Sequence, residues 1–412
     1  MQTKLADFIR DTPEGREADA ILRKCVHCGF CTATCPTYQL LGDELDGPRG
    51  RIYLMKQVLE GGRVSERTQL HLDRCLLCRS CETTCPSGVE YGRLLDITRN
   101  IVDERVERPW AQRAQRAALT SVLPRSSLFG PLLGLGQKAK PFLPGVLAGK
   151  VPQATPRAKP WPAPRHARRM LALAGCVQPT LAPDINAAAA RVLDCLGISL
   201  IEAHGAGCCG AVRYHLNQQR DGLDDMRRLI DSWWPHVDSG VEAIVMTGSG
   251  CGAMVREYAH LFAGDARYRD KATRVSAMTR DICEVVDAEI ENLRPLAAGK
   301  PARRVAFHPP CTLQHGQKIR GVTERVLLAA GFELTPVPDA HLCCGSAGTY
   351  SILQPEIAGQ LKKNKLAALA SGMPEMIVSS NIGCQSHLAS GAQVPVTHWI
   401  VALEERLALG RP

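Results

Sequence analysis

Hydrophobic and polar positions follow two different periods along this chain. In the first hundred residues the period is helical. Ile52, Met55, Val58 and Leu59 recur at helix spacing in "GPRGRIYLMKQVLEGG", which ends on a Gly-Gly stop. "SERTQLHLDRC" and "EYGRLLDITRNIVDERV" read as two further helices, and no good strand pattern stands beside them. After residue 166 the pattern changes. "MLALAGC" and "VAFHPPC" are short apolar runs that read as strands ending on cysteine. The helices "APDINAAAARVLDCLG" and "GVTERVLLAAG" follow, each closed by a glycine. "ISLIEA" and "FELTPVP" read as the next strands, and "EAIVMTGSGC" and "MIVSSNIGC" again end on cysteine. Alternating strand and helix predicts α/β modules with parallel sheets, whose ligands sit at the carboxyl ends of the strands. The cysteines lie at those ends.

The second half is an internal duplication. Cys176 repeats as Cys311, the Cys208-Cys209 pair as Cys343-Cys344, and Cys251 as Cys384, at offsets of 135, 135 and 133 residues. In both copies 31 residues separate the single cysteine from the pair, an agreement that chance rarely produces. The chain therefore divides into an N-terminal helical part (1–107), a connector (108–166) and two "CCG" modules (167–300 and 301–412).

Charge sharpens the picture of the connector. The chain carries a net +9, yet twelve Lys or Arg and no acidic residue fall between Arg108 and Arg169, which leaves the remainder at −3. "ATPRAKPWPAPRHARR" reads as an extended, semi-rigid linker. The middle, "LTSVLPRSSLFGPLLGLGQKAKPFLPGVL", reads either as a loop packed on its neighbours or as an interfacial segment on anionic lipid. Prolines at 124, 131, 141 and 144 argue against one long helix, so membrane contact through 110–150 would use short pieces. Aromatic residues are too few for a nucleic-acid surface.

Composition adds bounds. With 412 residues, 45% hydrophobic and 22% charged, the chain has room for two to four globular domains. It has no eighteen-residue apolar stretch and no secretory h-region, which places it in the cytoplasm or peripherally on the cytoplasmic face of the inner membrane. Its eighteen cysteines would be kept reduced there, so metal binding or redox chemistry is expected rather than a disulfide framework.

Eight of them form two runs, "CVHCGFCTATCP" (25–36) and "CLLCRSCETTCP" (75–86). Zinc sites use separated Cys-x2–4-Cys pairs. A Cys-x2-Cys-x2-Cys-x3-Cys-Pro run is instead the cubane signature, in which the fourth cysteine serves the other cluster. The expected sets are Cys25, Cys28, Cys31 and Cys85 for one [4Fe–4S] cluster, and Cys75, Cys78, Cys81 and Cys35 for the other. The 39 residues between Cys35 and Cys75, with their helical pattern, favour an α-helical ferredoxin-type domain. Arg51, Arg74 and Arg79 are candidate tuners, or plain solvated helix charges. His27 reads as a bystander.

The modules supply Cys176, Cys208, Cys209 and Cys251, and Cys311, Cys343, Cys344 and Cys384. These sets could each hold a cluster, share one, hold zinc, or act as exchanging thiols. Cys195 and Cys283 fall outside the repeat and read as buried core thiols. His308, His315 and His341, near ligand cysteines, read as hydrogen-bonded histidines rather than ligands. No nucleotide fingerprint, catalytic triad or paired-carboxylate site is present, so no catalytic residue is assigned.

Two cubane runs followed by two CCG modules resemble the iron–sulfur subunits of flavin-linked 2-hydroxyacid dehydrogenases. "ILRKCVHCGFCTATCPTYQLLGDELDGPRGRIYLMKQVLEG", "HLDRCLLCRSCETTCPSGVEYG", "HLCCGSAGTYSIL" and "PEMIVSSNIGCQSHLAS" closely resemble the iron–sulfur subunits of bacterial glycolate oxidases. The likeness implies FAD-binding partner subunits that oxidise glycolate to glyoxylate. It also implies electron transfer through this chain to a membrane quinone or similar acceptor. Alternatives are an iron–sulfur subunit of a lactate or glycerol-3-phosphate dehydrogenase, or a thiol/disulfide enzyme like heterodisulfide reductase. CCG modules of the wider family often end in Cys-x-x-Cys. Here Gly248 and Asn381 hold the first of those positions, which argues against five-cysteine noncubane clusters and against thiol exchange.

Overall fold

The computed structural model describes residues 1–142, 152 and 155–407. The first part is helical. Helices α1 (Pro13–Lys24), α2 (Pro48–Leu59), α3 (Glu66–Asp73) and α4 (Tyr91–Arg105) enclose a core that includes Leu22, Met55, Leu59, Leu94 and Leu95. Local chemistry sets their starts. The Thr12 and Ser65 side chains accept N–H bonds from Gly15 and Thr68, and prolines open α1 and α2, where the first-turn N–H has no intrahelical acceptor.

The connector differs from the expected loop or short pieces. It forms two full helices, α5 (Trp110–Val122) and α6 (Ser126–Ala139). Pro124 lies in the turn between them and Pro141 lies beyond α6, but Pro131 sits inside α6. Being sixth in the helix, it forfeits one backbone hydrogen bond, a cost that neighbouring turns absorb. Residues 143–150, part of the segment expected to meet a membrane, lie outside the described residues. The stretch 155–165 is extended and pinned along its length. Trp161 Nε1 donates to the Leu200 carbonyl (2.8 Å), Arg165 pairs with Asp194 (2.6 Å), and Lys159 reaches Glu404 (3.0 Å).

The remainder holds two four-stranded parallel sheets. The first comprises β1 (Arg168–Ala172), β2 (Ile198–Glu202), β3 (Ile244–Met246) and β4 (Thr279–Asp281), ordered β2-β1-β3-β4. The second repeats it as β6-β5-β7-β8, with β5 (Arg303–His308), β6 (Phe332–Leu334), β7 (Met376–Ser379) and β8 (Val396–His398). The same strands pair in both sheets: Met170 faces Leu200 and Ala172 faces Val245 in the first, and Val305 faces Leu334 and Phe307 faces Val378 in the second. The strand order reverses between the neighbours of β1 and of β5, the place where parallel sheets of this kind take ligands at their carboxyl ends.

The modules share one core. Helix α7 (Asp184–Cys195) of the first packs on α14 (Trp399–Leu407) of the second, and α10 (Ile282–Ala288) of the first packs on α11 (Val322–Ala329) of the second. Val192, Leu193, Val286, Val326, Ile400 and Leu403 belong to a single buried cluster. His398 Nε2 donates to the Thr247 carbonyl (2.8 Å) across the join. The helical domain docks on both modules: Tyr350 donates to the Arg74 carbonyl (2.9 Å) and Arg79 pairs with Glu257 (2.7 Å).

Candidate functional site

Each cysteine run is folded by the same local device. His27 and Gly29 in the first run, and Leu77 and Arg79 in the second, have positive φ (56°, 86°, 52° and 58°). Three of these four are not glycine, so the conformation is held against its intrinsic cost by what surrounds it. The two left-handed turns wrap each Cys-x2-Cys-x2-Cys segment around a point. Cys25, Cys28, Cys31 and Cys85 line one cavity, and Cys35, Cys75, Cys78 and Cys81 line a second; Cys81 stands between them and also borders the first. The fourth cysteine of each run thus faces the other run's cavity. Cys35 precedes a short helix (Pro36–Leu41) and Cys85 ends another (Ser80–Thr84).

The donor chemistry fits an iron–sulfur cluster at each place. Four soft thiol groups converge at each cavity. Burial, then the neighbouring thiolates, push Cys31 up to about 11 and raise Cys25 and Cys81 too. Thiols gathered this way remain protonated until a cation takes the protons' place. The Leu77 N–H points at Cys75 Sγ (3.4 Å), the kind of donor that stabilises a coordinated thiolate.

The second cavity has a fixed positive charge beside it. Arg51 is 1% exposed and is not a solvated helix charge. Its Nε donates to the His71 carbonyl (2.7 Å), and its other nitrogens reach Thr37 Oγ1 (3.0 Å) and Asp46 Oδ1 (3.2 Å). Burial opposes its charge, but the negative charge that Cys75, Tyr91 and Cys35 take on when they ionise, together with the Asp46 carboxylate, outweighs that, so its pKa is raised. Arg74 completes the network on Asp46 (2.8 Å), while Arg79 is committed to Glu257.

In the modules the cysteines form two rows at the carboxyl ends of the strands, buried except for the half-buried Cys251 and Cys384. Cys176 lies against Cys208, Cys208 against Cys209, and Cys209 against Cys251. Cys311, Cys343, Cys344 and Cys384 repeat the order, and Cys311 also lies against Cys78 of the helical domain. The glycine of each CCG has a definite task. Gly210 and Gly345 have φ of +81° and +88°, and a Cβ would come within 2.6 Å of the Gly222 carbonyl or 2.7 Å of the Ala358 carbonyl. Their N–H groups point at Cys208 Sγ and Cys343 Sγ, both at 3.4 Å. Asn381 caps a helix (Ile382–Ala389) by accepting from the Gly383 and Cys384 N–H groups.

Two sequence readings need correction. Cys283 is buried, but Cys195 is exposed at the C-terminal end of α7, where the helix runs out to solvent. His315 is hydrogen-bonded, to Thr83 Oγ1 (2.8 Å) and the His341 carbonyl (3.0 Å), whereas His308 is fully buried with neither ring nitrogen partnered. Sequence reasoning missed Lys365, a 3%-exposed cation facing Cys311, Cys343 and Cys344 from α12 (Pro355–Ala370). Its stretch, "LKKNKLAALA", looks like any solvated helix face. The contact between Cys78 and Cys311 had no sequence signal either, since it depends on how domains dock.

Comparison with known proteins agrees with this geometry. Residues 21–89 match the 4Fe-4S dicluster domain, and residues 170–256 and 305–389 each match the cysteine-rich domain known as CCG. The chain is 57% identical to the glycolate oxidase iron-sulfur subunit of Escherichia coli (strain K12), over 99% of each chain. It is 29% identical to the probable glycolate oxidase iron-sulfur subunit of Bacillus subtilis (strain 168), over 90% of this chain and 89% of that one. Lactate utilization protein A of Geobacillus thermodenitrificans (strain NG80-2) is 24% identical over 54% of this chain and 93% of its own.

Proposed function

The chain belongs to the family of glycolate oxidase iron–sulfur subunits, and on that premise we propose how its residues serve electron transfer. It is the electron-transfer iron–sulfur subunit of an oxidoreductase complex that acts on glycolate, working with FAD-binding partner subunits. Likeness to lactate utilization proteins is distant and reaches about half of this chain, so the lactate reading has the weaker support. Thiol exchange is disfavoured because hydrogen bonds with the adjoining thiols, and then burial, raise the pKa of Cys176 and Cys311 and leave little nucleophilic thiolate.

In this reading Cys25, Cys28, Cys31 and Cys85 hold one [4Fe–4S] cluster, and Cys75, Cys78, Cys81 and Cys35 hold the second. The observation that supports it is the exchange of fourth cysteines between the two cavities. Bound there, the clusters supply one-electron steps between a two-electron donor and a distant acceptor. The protein's own part is to hold the thiols, exclude water and set local charge. Arg51 places a positive charge beside the second set. The first set faces solvent, with Cys28 exposed between Val26 (67% exposed) and Phe30 (61%), whereas the second is covered by the second module through Cys311, Cys343 and Tyr350. The rows at Cys176, Cys208, Cys209 and Cys251, and at Cys311, Cys343, Cys344 and Cys384, are further metal-binding positions in the same reading.

The acceptor is a membrane quinone or a similar carrier, reached from the cytoplasmic face of the inner membrane. Among the described residues no helix is long and apolar enough to cross a membrane. Helix α6 supports peripheral contact: Leu128, Leu132 and Leu135 stand exposed on one stripe, within a stretch that has no acidic residue. Release from anionic vesicles on charging that stripe is the test of this part. For the cluster assignment, the test is anaerobic purification with iron, acid-labile sulfide and reduced-state EPR measured per chain. At least about eight irons with matching sulfide are expected for two cubanes; about one zinc and no sulfide would overturn the reading.

A further inference from the structure

The two CCG modules are not chemically equivalent. Under the 135-residue offset His308, the last residue of β5, corresponds to Leu173, which directly follows β1. Leu173 belongs to an apolar cluster of the first module. His308 is 0% exposed, and neither Nδ1 nor Nε2 has a hydrogen-bond partner. Leaving such a group unsatisfied is costly, and in a native protein it calls for a reason.

The reason lies alongside it. A ring nitrogen of His308, Cys344 Sγ and Cys384 Sγ all lie within 4.8 Å of one another. Cys343 and Cys311 extend the row, which brings the donor count to five. Five donors in a row exceed what one tetrahedral ion takes and suit a centre of several metal atoms. Thiolate and imidazole are both ligands for iron. A countercharge is in place as well: buried Lys365, whose Nζ donates to the Asp339 carbonyl (2.7 Å), faces Cys311, Cys343 and Cys344.

We infer that the second module binds an iron–sulfur cluster through its cysteines with His308 as one ligand, while the first module's donors are thiols alone. This rests on the reading of the modules as metal carriers. A neutral imidazole in place of a thiolate removes a negative charge from the centre and raises its reduction potential. Through Cys311 and Cys78 this centre adjoins the second cubane site, whereas among the described residues Cys176, Cys208 and Cys209 lie against cysteines of their own row.

The test uses the whole complex, purified anaerobically from cells grown with natural or 15N-labelled histidine. Iron and sulfide are counted, and pulsed EPR is recorded in whichever redox state makes each cluster paramagnetic. The expected result is more than about eight irons per chain, with one signal showing strong 14N coupling that converts to 15N on labelling. His308→Cys should keep the iron count, abolish the nitrogen coupling and shift that centre's midpoint downward. About eight irons with no other metal would overturn the carrier reading and the inference with it, whereas one zinc in place of extra iron would overturn the inference alone. Extra iron without histidine nitrogen coupling would overturn the ligation by His308 alone. The labelled unsubstituted protein decides these outcomes even where a variant fails to fold.

Discussion

Cys35 belongs by sequence to the first run and by position to the second cavity. Cys35→Ala should therefore damage the cluster held by Cys75, Cys78 and Cys81, with about four irons lost or a three-iron EPR signature gained. The signal of the other cluster should persist. Damage confined to the first run's cluster would contradict crossed ligation. Arg51 gives a second test at this scale. A unit charge a few ångströms away is worth roughly 2–4 kcal/mol at an effective dielectric near 20, which is on the order of 100 mV. Arg51→Gln should lower the midpoint of the second cluster by about that amount, and Arg51→Lys should restore most of it in an EPR-monitored titration. An unchanged midpoint would mean the charge is only structural. The convergence of the run cysteines on two cavities was legible in sequence because cysteine spacing is a local property. The burial of Arg51, the orphaned ring of His308 and the role of Lys365 were not, because each depends on what the rest of the chain packs against it.

Among the elements, the connector was the hardest to read. Four prolines suggested breaks, yet Pro124 and Pro141 only bracket α6, and Pro131 within it forfeits a single hydrogen bond. The apolar positions 128, 132 and 135 keep helix spacing across that proline and leave their stripe exposed. Leu132→Glu with Leu135→Glu should change folding stability by less than about 0.5 kcal/mol each, since the sites are on the surface. The same pair should weaken binding to anionic vesicles at least about tenfold in a flotation assay; unchanged binding would remove α6 from the contact. Strands β4 and β8 were also missed. Each is three residues long and runs directly into a helix, in "TRDICEVV" and "VTHWIVAL", so the helical period hides the strand. The other six strands were legible because apolar runs bounded by turns mark them in both copies of the repeat.

At the scale of the whole molecule, the duplication builds a pseudo-symmetric pair whose inner helices form one core, with the helical domain laid across both. One buried ion pair ties the arrangement together. Arg191 of α7 pairs with Glu404 of α14 (3.1 Å), with 7% and 0% of their side chains exposed, and Lys159 of the extended strap joins them. Arg191→Ala leaves a buried carboxylate short of its partner and should destabilise the paired modules by about 3–5 kcal/mol in chemical denaturation; a loss below about 1 kcal/mol would show that the apolar core alone holds them. Sequence offsets revealed the two copies but not how they face each other, because the pairing is written in the shape of apolar faces rather than in any motif. The central claim is that glycolate's electrons pass into this chain. The direct measurement is rapid-freeze EPR of the anaerobic complex mixed with glycolate. Reduced cluster signals should appear at least as fast as turnover, and disappear on adding a quinone. Clusters that stay oxidised while the partner flavin is reduced and turnover proceeds would contradict the account.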